Sequence, residues 1–355
     1  MSAPPSTVNP ATEIDGGAMD CGSGLLLMVT RGIRTVGAGE VLAIRTEEKS
    51  VVADLPAWAR LAGHEMVDVE EQSPTGPWRL TVRRGSDTVF STGGGADLGT
   101  RLWIYTNFDC NLACGYCCAE SSPRSPSRRM PTELALEAVE QFAEMDGREV
   151  LLTGGEPFLH PELGEIVSRS ARLLPVTILT NAMVFARGTR RATLEAMDRD
   201  RVTLQISLDS GTPEVHDRQR GPGSFARAME GLRLARDLGF RVRVSMTLYD
   251  EDPATVAALH DTLLSEGVPR RDQLIRPVAH EGSAQTGQHI SADSIAPEPT
   301  LTVDGAWWHP VGVTDPNLRV ADSPLPIREV FATIRDAVRV QDASTSEGRT
   351  VFRCV

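Results

Sequence analysis

Residues 110–118 read Cys110-Asn111-Leu112-Ala113-Cys114-Gly115-Tyr116-Cys117-Cys118, and Cys110, Cys114 and Cys117 stand in C-x3-C-x2-C spacing. Three thiolates this close can hold three irons of a [4Fe–4S] cube, since cysteine thiolate is the usual iron–sulfur ligand. The fourth iron then lacks a protein ligand, and an open metal position is a reactive one. The alternative is a structural zinc site, which is closed and takes four ligands. No second C-x-x-C pair follows, and the next histidine downstream is His160, so this region supplies no fourth zinc ligand. Cys118 adjoins the triad but falls outside its spacing and carries no assignment.

Further polar groups recur at intervals behind the cysteines. In Thr153-Gly154-Gly155-Glu156-Pro157 two residues without a Cβ let the backbone approach a ligand closely, and Glu156 can accept hydrogen bonds from a cationic amine. Thr180-Asn181 closes the next apolar stretch. Ser207-Leu208-Asp209 closes another, and strand alternation sends Ser207 and Asp209 to one side, a pairing suited to ribose hydroxyls. In His216-Asp217-Arg218-Gln219-Arg220-Gly221, Arg220 is able to grip a carboxylate with both arms of its fork; an exposed loop arginine is the alternative.

Over roughly residues 101–281 these motifs resemble the radical S-adenosylmethionine (radical SAM) enzymes. The resemblance implies one [4Fe–4S] cluster on Cys110, Cys114 and Cys117, its open iron chelated by the amino and carboxylate groups of SAM. It places Tyr116 beside the adenine, gives Gly154, Gly155, Glu156 and Pro157 the SAM amino group, and assigns Thr180, Asn181, Ser207 and Asp209 to the rest of the cofactor. Arg220 then faces a carboxylate of SAM or substrate. Arg276-Pro277 and Glu281-Gly282 resemble the stretch that closes the adenine pocket. The implied reaction is reductive cleavage of SAM to methionine and a 5′-deoxyadenosyl radical that abstracts hydrogen from a substrate, with electrons from a flavodoxin- or ferredoxin-type donor.

A second resemblance lies near the N-terminus. Three stretches resemble the TusA/SirA-type sulfur-carrier domain over residues 11–85: Asp15-Gly16-Gly17-Ala18-Met19-Asp20-Cys21-Gly22-Ser23-Gly24, the alternating run Gly39–Thr46, and Asp54-Leu55-Pro56 followed by Gly63-His64-Glu65. That family carries a persulfide on a cysteine at a helix N-terminus, where the helix dipole raises the thiolate fraction. The family's Cys-Pro-x-Pro is Cys21-Gly22-Ser23-Gly24 here, which removes the proline that pre-sets the helix start. Cys21 therefore reads either as a sulfur carrier, loaded by a donor such as a cysteine desulfurase, or as part of a domain kept for recognition. In the second case the enzyme would oxidise, epimerise or rearrange a peptide or small metabolite. A non-catalytic carrier or binding protein is the remaining alternative.

Positioning these groups needs two α/β units. Residues 11–85 read βαβαββ, a two-layer sandwich, with helices over 22–36 and 55–62. Residues 1–10 read as a disordered tail and 86–100, with a triple glycine, as a linker. From Arg101, strands over 102–107, 149–153, 176–180, 202–208, 241–248 and 273–278 alternate with helices over 132–145, 161–173, 189–197, 224–238 and 254–266. This pattern predicts a partial (β/α)6 TIM-like barrel with its ligands at the C-terminal strand ends, where every motif above falls. Residues 282–355 read as an extension with a hairpin around 301–308 turning at Asp304-Gly305 and a helix near 326–340. It vaguely resembles the SPASM or twitch extension but has Trp307-Trp308-His309-Pro310 where a cluster cysteine is expected. Cys21, Cys118 and Cys354 are too few and scattered for a second cluster.

Composition sets the remaining bounds. The net charge of −12 argues against nucleic-acid binding, and Arg124, Arg128 and Arg129 read as a solvated loop. The run Leu25–Val29 is too short to span a bilayer. No signal peptide is evident, and cysteines clustered as ligands suit a reducing compartment, so the expected location is cytoplasmic.

Overall fold

The computed structural model describes residues 12–19, 25–37, 39–61, 64–71, 76–84, 98–248, 253–292 and 294–345. Two compact units divide the chain at Thr92 and Gly93. Cys21, Cys354 and the tail 1–10 lie outside the described residues.

The first unit runs β1 (Thr12–Asp15), α1 (Leu26–Thr35), β2 (Val41–Thr46), α2 (Lys49–Leu61), β3 (Glu65–Glu71) and β4 (Trp78–Arg83), in the sheet order β1-β2-β4-β3. This is the βαβαββ order read from the periodicity. Leu25, Val29, Ile33 and Val36 lie at helical spacing and are buried against Leu42, Ile44, Leu80 and Val82 of the sheet. Helix α2 begins six residues earlier than expected and carries Pro56 within it. Val51, Leu55 and Ala59, spaced four apart, form the buried stripe that outweighs the proline.

The second unit holds six parallel strands: β5 (Arg101–Asn107), β6 (Glu149–Gly154), β7 (Val176–Thr180), β8 (Val202–Ser207), β9 (Arg241–Leu248) and β10 (Gln273–Pro277). Helices α3 (Thr132–Ala143), α4 (Leu163–Leu173), α5 (Gly188–Ala196), α6 (Pro213–Arg220), α7 (Ser224–Asp237) and α8 (Pro253–Ser265) connect them. Alternate strand residues, such as Val150 and Leu152, Leu204 and Ile206, and Val242 and Val244, form one core with the helices. The opposite face is the inner face of the partial TIM-like barrel.

One helix went unread in the sequence. The H-D-x-x-R-G segment is α6, begun by Pro213 at its first position and stopped by Gly221 at φ +102. The tail also builds more sheet than expected. Strands β11 (Thr300–Thr302), β12 (Gly305–Trp307) and β13 (Arg319–Ala321) extend the sheet to nine strands, with β11 parallel to β5, ahead of α9 (Ile327–Thr345). The hairpin turn is Val303-Asp304 rather than Asp304-Gly305: Thr302 pairs with Gly305, which already belongs to β12. Glycine is needed there because a Cβ would collide with the Ala321 carbonyl of β13. Among the described residues no helix is long and apolar enough to cross a membrane.

Candidate functional site

The cysteine loop leaves the end of β5 and is pinned to the strand ends by two buried carboxylates. The first, Glu156, follows β6. Its Oε1 accepts from Thr180 Oγ1 (2.8 Å) and from the Phe158 amide (3.1 Å), and its Oε2 accepts from the Asn181 amide (2.8 Å). Burial pushes this carboxyl up to about 7 against the pull of those donors. Asn181 in turn donates through Nδ2 to Asn111 Oδ1 inside the cysteine loop (2.8 Å), so the end of β7 is tied to the segment between Cys110 and Cys114. The main chain joins in: the Gly155 amide donates to Asn107 O, the Glu156 amide to Asp109 O, and Asn107 Nδ2 to Glu156 O (3.0 Å).

The glycines of Thr153-Gly154-Gly155-Glu156-Pro157 serve this same contact. A Cβ on Gly154 would meet the Asn107 carbonyl and its Oδ1 at 2.9 Å; one on Gly155 would overlap the Asp109 carbonyl and meet Phe108 O at 2.9 Å. The close approach they permit is therefore to the chain's own backbone.

The second carboxylate, Asp209, follows β8 and is 2 % exposed. Arg220, at the end of α6, grips it through Nε (2.6 Å to Oδ2) and Nη2 (3.1 Å to Oδ1). The Tyr116 hydroxyl donates to Oδ2, and the Thr247 amide from β9 donates to Oδ1 at 3.2 Å. Although burial alone would raise it, the Arg220 guanidinium beside it holds Asp209 below the usual carboxylate range. The same pairing holds Arg220 well above its ordinary value, while burial raises the Tyr116 phenol. Arg220 is thus a buried partner of Asp209, neither an exposed loop arginine nor an open grip for a foreign carboxylate. His216 Nδ1 accepts from the Asp209 amide (3.1 Å), and its Nε2 has no partner among the described residues. Burial, then Arg220, pushes this imidazole down to about 4.

Ser207, the last residue of β8, is half-buried. Tyr116 packs with Val278 and Ala284, against the edge of Cys114. The segment after β10 lies over the cysteine loop: the Ser283 amide donates to Cys117 O, and a Cβ on Gly282 would come within 2.5 Å of Cys117 O and 2.6 Å of Cys118 O. Arg128 and Arg129, expected to be solvated, pair with Asp304 (2.6 Å) and Asp109 (2.6 Å), and Arg128 lies over the Phe108 ring. Trp307 and Trp308 are both buried, their indole N–H groups donating to Thr302 Oγ1 and Ile295 O.

Two stretches of the chain match known families. Residues 104–263 match the model of the radical SAM superfamily, and residues 23–84 match that of the sulfurtransferase TusA. This chain carries a radical SAM domain. A TusA-like domain precedes it. The mycofactocin maturase MftC of Mycobacterium tuberculosis is 30 % identical over 193 residues, 54 % of this chain and 48 % of the relative. The antilisterial bacteriocin subtilosin biosynthesis protein AlbA of Bacillus subtilis is 34 % identical over 154 residues, 40 % of this chain and 32 % of the relative. The chain thus spans a third to a half of the length of these relatives. A solved structure, "Native anSMEcpe with bound AdoMet", shares the fold at TM-score 0.53 and 12 % identity, covering 68 % of this chain and 83 % of that one.

In the radical SAM domain the donor set fits an iron–sulfur cluster. The Leu112 amide donates to Cys110 Sγ (3.4 Å) and the Ser121 amide to Cys117 Sγ (3.3 Å), bonds that favour anionic sulfur. Ser121 Oγ beside them is buried without a partner among the described residues. Burial pushes the Cys110 thiol up to about 12 and the Cys114 thiol up to about 11, so sulfur here needs a cationic centre to stay ionised. Burial likewise pushes Cys118 up to about 12, beside Tyr105 and under the Thr314 side chain.

The sequence missed Asn107 and Asn111. Both lie in the motif stretch, but an asparagine's partner is set by what folds against it. Arg220 was singled out, but its pairing with Asp209 was not.

Proposed function

We propose that this chain is a radical SAM enzyme that modifies a peptide, using one [4Fe–4S] cluster held by Cys110, Cys114 and Cys117. The observation that carries this reading is the double anchoring of the cysteine loop, through Glu156–Asn181–Asn111 on one side and Asp209–Tyr116 on the other. Two buried carboxylates with three or more donors each are a costly arrangement unless the loop between them must be held still. A peptide substrate is supported by the relatives, a maturase and a bacteriocin biosynthesis protein by name. The bound cluster supplies the electron for reductive cleavage of SAM.

The chain's own residues orient and exclude. Tyr116, Val278 and Ala284 provide an apolar wall beside Cys114, suited to an adenine face. The Gly154–Glu156 backbone presents peptide groups next to the loop, suited to the amino group of SAM, and half-buried Ser207 is suited to a ribose hydroxyl. Asp209 and Arg220 position Tyr116 rather than reach for ligand. An electron donor of the flavodoxin or ferredoxin type completes the system.

Anaerobic reconstitution tests the reading. The expected result is four irons and four sulfides per chain, to match one cube, and 5′-deoxyadenosine on reduction with SAM, both lost in Cys114→Ala. Iron content unchanged in that variant would overturn it.

The TusA match favours a second reading, in which Cys21 carries sulfur from a donor such as a cysteine desulfurase to the substrate. Turnover of substrate by Cys21→Ser at the wild-type rate would exclude it.

A further inference from the structure

The inner face of the barrel holds hydrogen-bond donors without a partner among the described residues. Strands β8 and β9 run parallel with Gln205 opposite Arg243. Leu204 and Ile206 flank Gln205, Val242 and Val244 flank Arg243, and all four join the core on the helix side. Since side chains alternate across a strand, Gln205 and Arg243 stand together on the inner face. Gln205 is 1 % exposed, and its Nε2 has no hydrogen-bond partner among the described residues. Arg243 is half-buried and makes no ion pair among the described residues.

The carboxylates nearby are already engaged. Glu149 lies 3.6 Å from Arg101 and accepts from Thr177 Oγ1 at 2.6 Å; Glu298 takes Arg101 at 3.1 Å and the Trp103 indole at 2.8 Å; Asp272 takes Arg241 at 2.8 Å. Arg101 Nε is a further buried donor without a hydrogen bond. Burial, together with the cations Arg101 and Arg241, pulls the Arg243 guanidinium below its ordinary range in spite of Glu149. Burial, then Arg276 and Arg101, pushes His309 down to about 3. The region is rich in donors and cations and short of acceptors. A buried donor and a desolvated cation without partners are both unfavourable, and what relieves both is an oxyanion.

We propose that Gln205 and Arg243 form a carboxylate-binding subsite inside the barrel that holds an acidic group of the substrate. The planar guanidinium fork matches a carboxylate with two parallel hydrogen bonds, and the Gln205 amide donates to a remaining lone pair. Strand rise puts Arg243 roughly 13 Å from Thr247, whose amide meets Asp209 at the strand ends. The carboxylate is therefore gripped at the far end of the substrate from the SAM site. Giving it to a substrate rests on the reading of the barrel as a radical SAM enzyme. Its owner is either a peptide or a free small acid.

Calorimetric titration of the reconstituted full chain at fixed ionic strength tests this with three probes: glutarate, the capped peptide acetyl-Ala-Ala-Glu-amide, and inorganic phosphate. Saturable binding of glutarate or of the glutamyl peptide is expected, weakened at least tenfold by Arg243→Gln and severalfold by Gln205→Leu. Peptide binding without glutarate binding assigns the carboxylate to a peptide, and the converse to a small acid. With no anion present, Arg243→Met is expected to raise the thermal midpoint by a few degrees, since an uncompensated cation is removed. The proposal is overturned by no saturable carboxylate binding, by equal binding in Arg243→Gln, by tighter binding of phosphate, or by a lowered midpoint in Arg243→Met. Release of 5′-deoxyadenosine by the wild type is measured alongside. Its presence without carboxylate binding rejects the subsite alone; its absence with binding rejects the radical SAM reading alone.

Discussion

Asp209 and Arg220 show how much a residue's meaning depends on its partner. Both are charged and buried, so breaking the pair leaves one charge without compensation, a loss of about 3–5 kcal/mol. Asp209→Asn is expected to show this in urea unfolding, and Asp209→Asn combined with Arg220→Met is expected to recover most of it. An additive double variant would mean that the pair does not hold the loop. His216 makes a pH prediction. Its folded value of about 4 lies below the ordinary 6.5, so between these values the unfolded chain binds the proton that the folded chain refuses. Its contribution is complete above pH 6.5 and is lost as the pH falls toward 4, at up to about 1.4 kcal/mol per pH unit. His216→Asn keeps an acceptor for the Asp209 amide but cannot titrate. Stability measured from pH 7 to 4.5 should therefore fall more steeply in the wild type than in the variant.

Among the elements, the turn after β6 and helix α6 place the site. Gly155→Ala puts a Cβ against Asp109 O and Phe108 O, so backbone must move, and a loss of about 1–3 kcal/mol is expected with weaker SAM binding. Gly115, inside the cysteine loop, has nothing within 4 Å of such a Cβ, and Gly115→Ala is expected to change stability by under about 0.5 kcal/mol. Equal losses in the two variants, measured by thermal unfolding, would sink the packing account of the Gly-Gly pair. The strands of the barrel were legible to within a residue or so because each is an apolar run bounded by turn residues. Helix α6 was not, because Pro213-Glu214-Val215-His216-Asp217-Arg218-Gln219-Arg220 has one aliphatic side chain and no apolar stripe. Its proline start and glycine stop were the signal available.

For the whole molecule, the two units have separate cores, one around Leu25, Leu42 and Leu55 and the other around Ile104, Leu152 and Leu204. A chain beginning at Gly93 is therefore expected to bind iron and cleave SAM within about twofold of the full chain, while turnover of a peptide substrate falls. Loss of iron from the shortened chain would show that the barrel depends on the first unit. The sequence by itself determined the element order of both units, the cysteine triad and its place at a strand end, because spacing and periodicity are properties of neighbours along the chain. Tertiary structure alone decided that Glu156 serves Thr180 and Asn181, that Arg220 serves Asp209, and that the paired glycines make room for Asn107 and Asp109. It alone set Gln205 opposite Arg243 and left Gln205 Nε2 without a hydrogen-bond partner among the described residues. These partners are not neighbours along the chain, and strand register and burial, rather than residue type, choose among the many donors and acceptors a sequence offers.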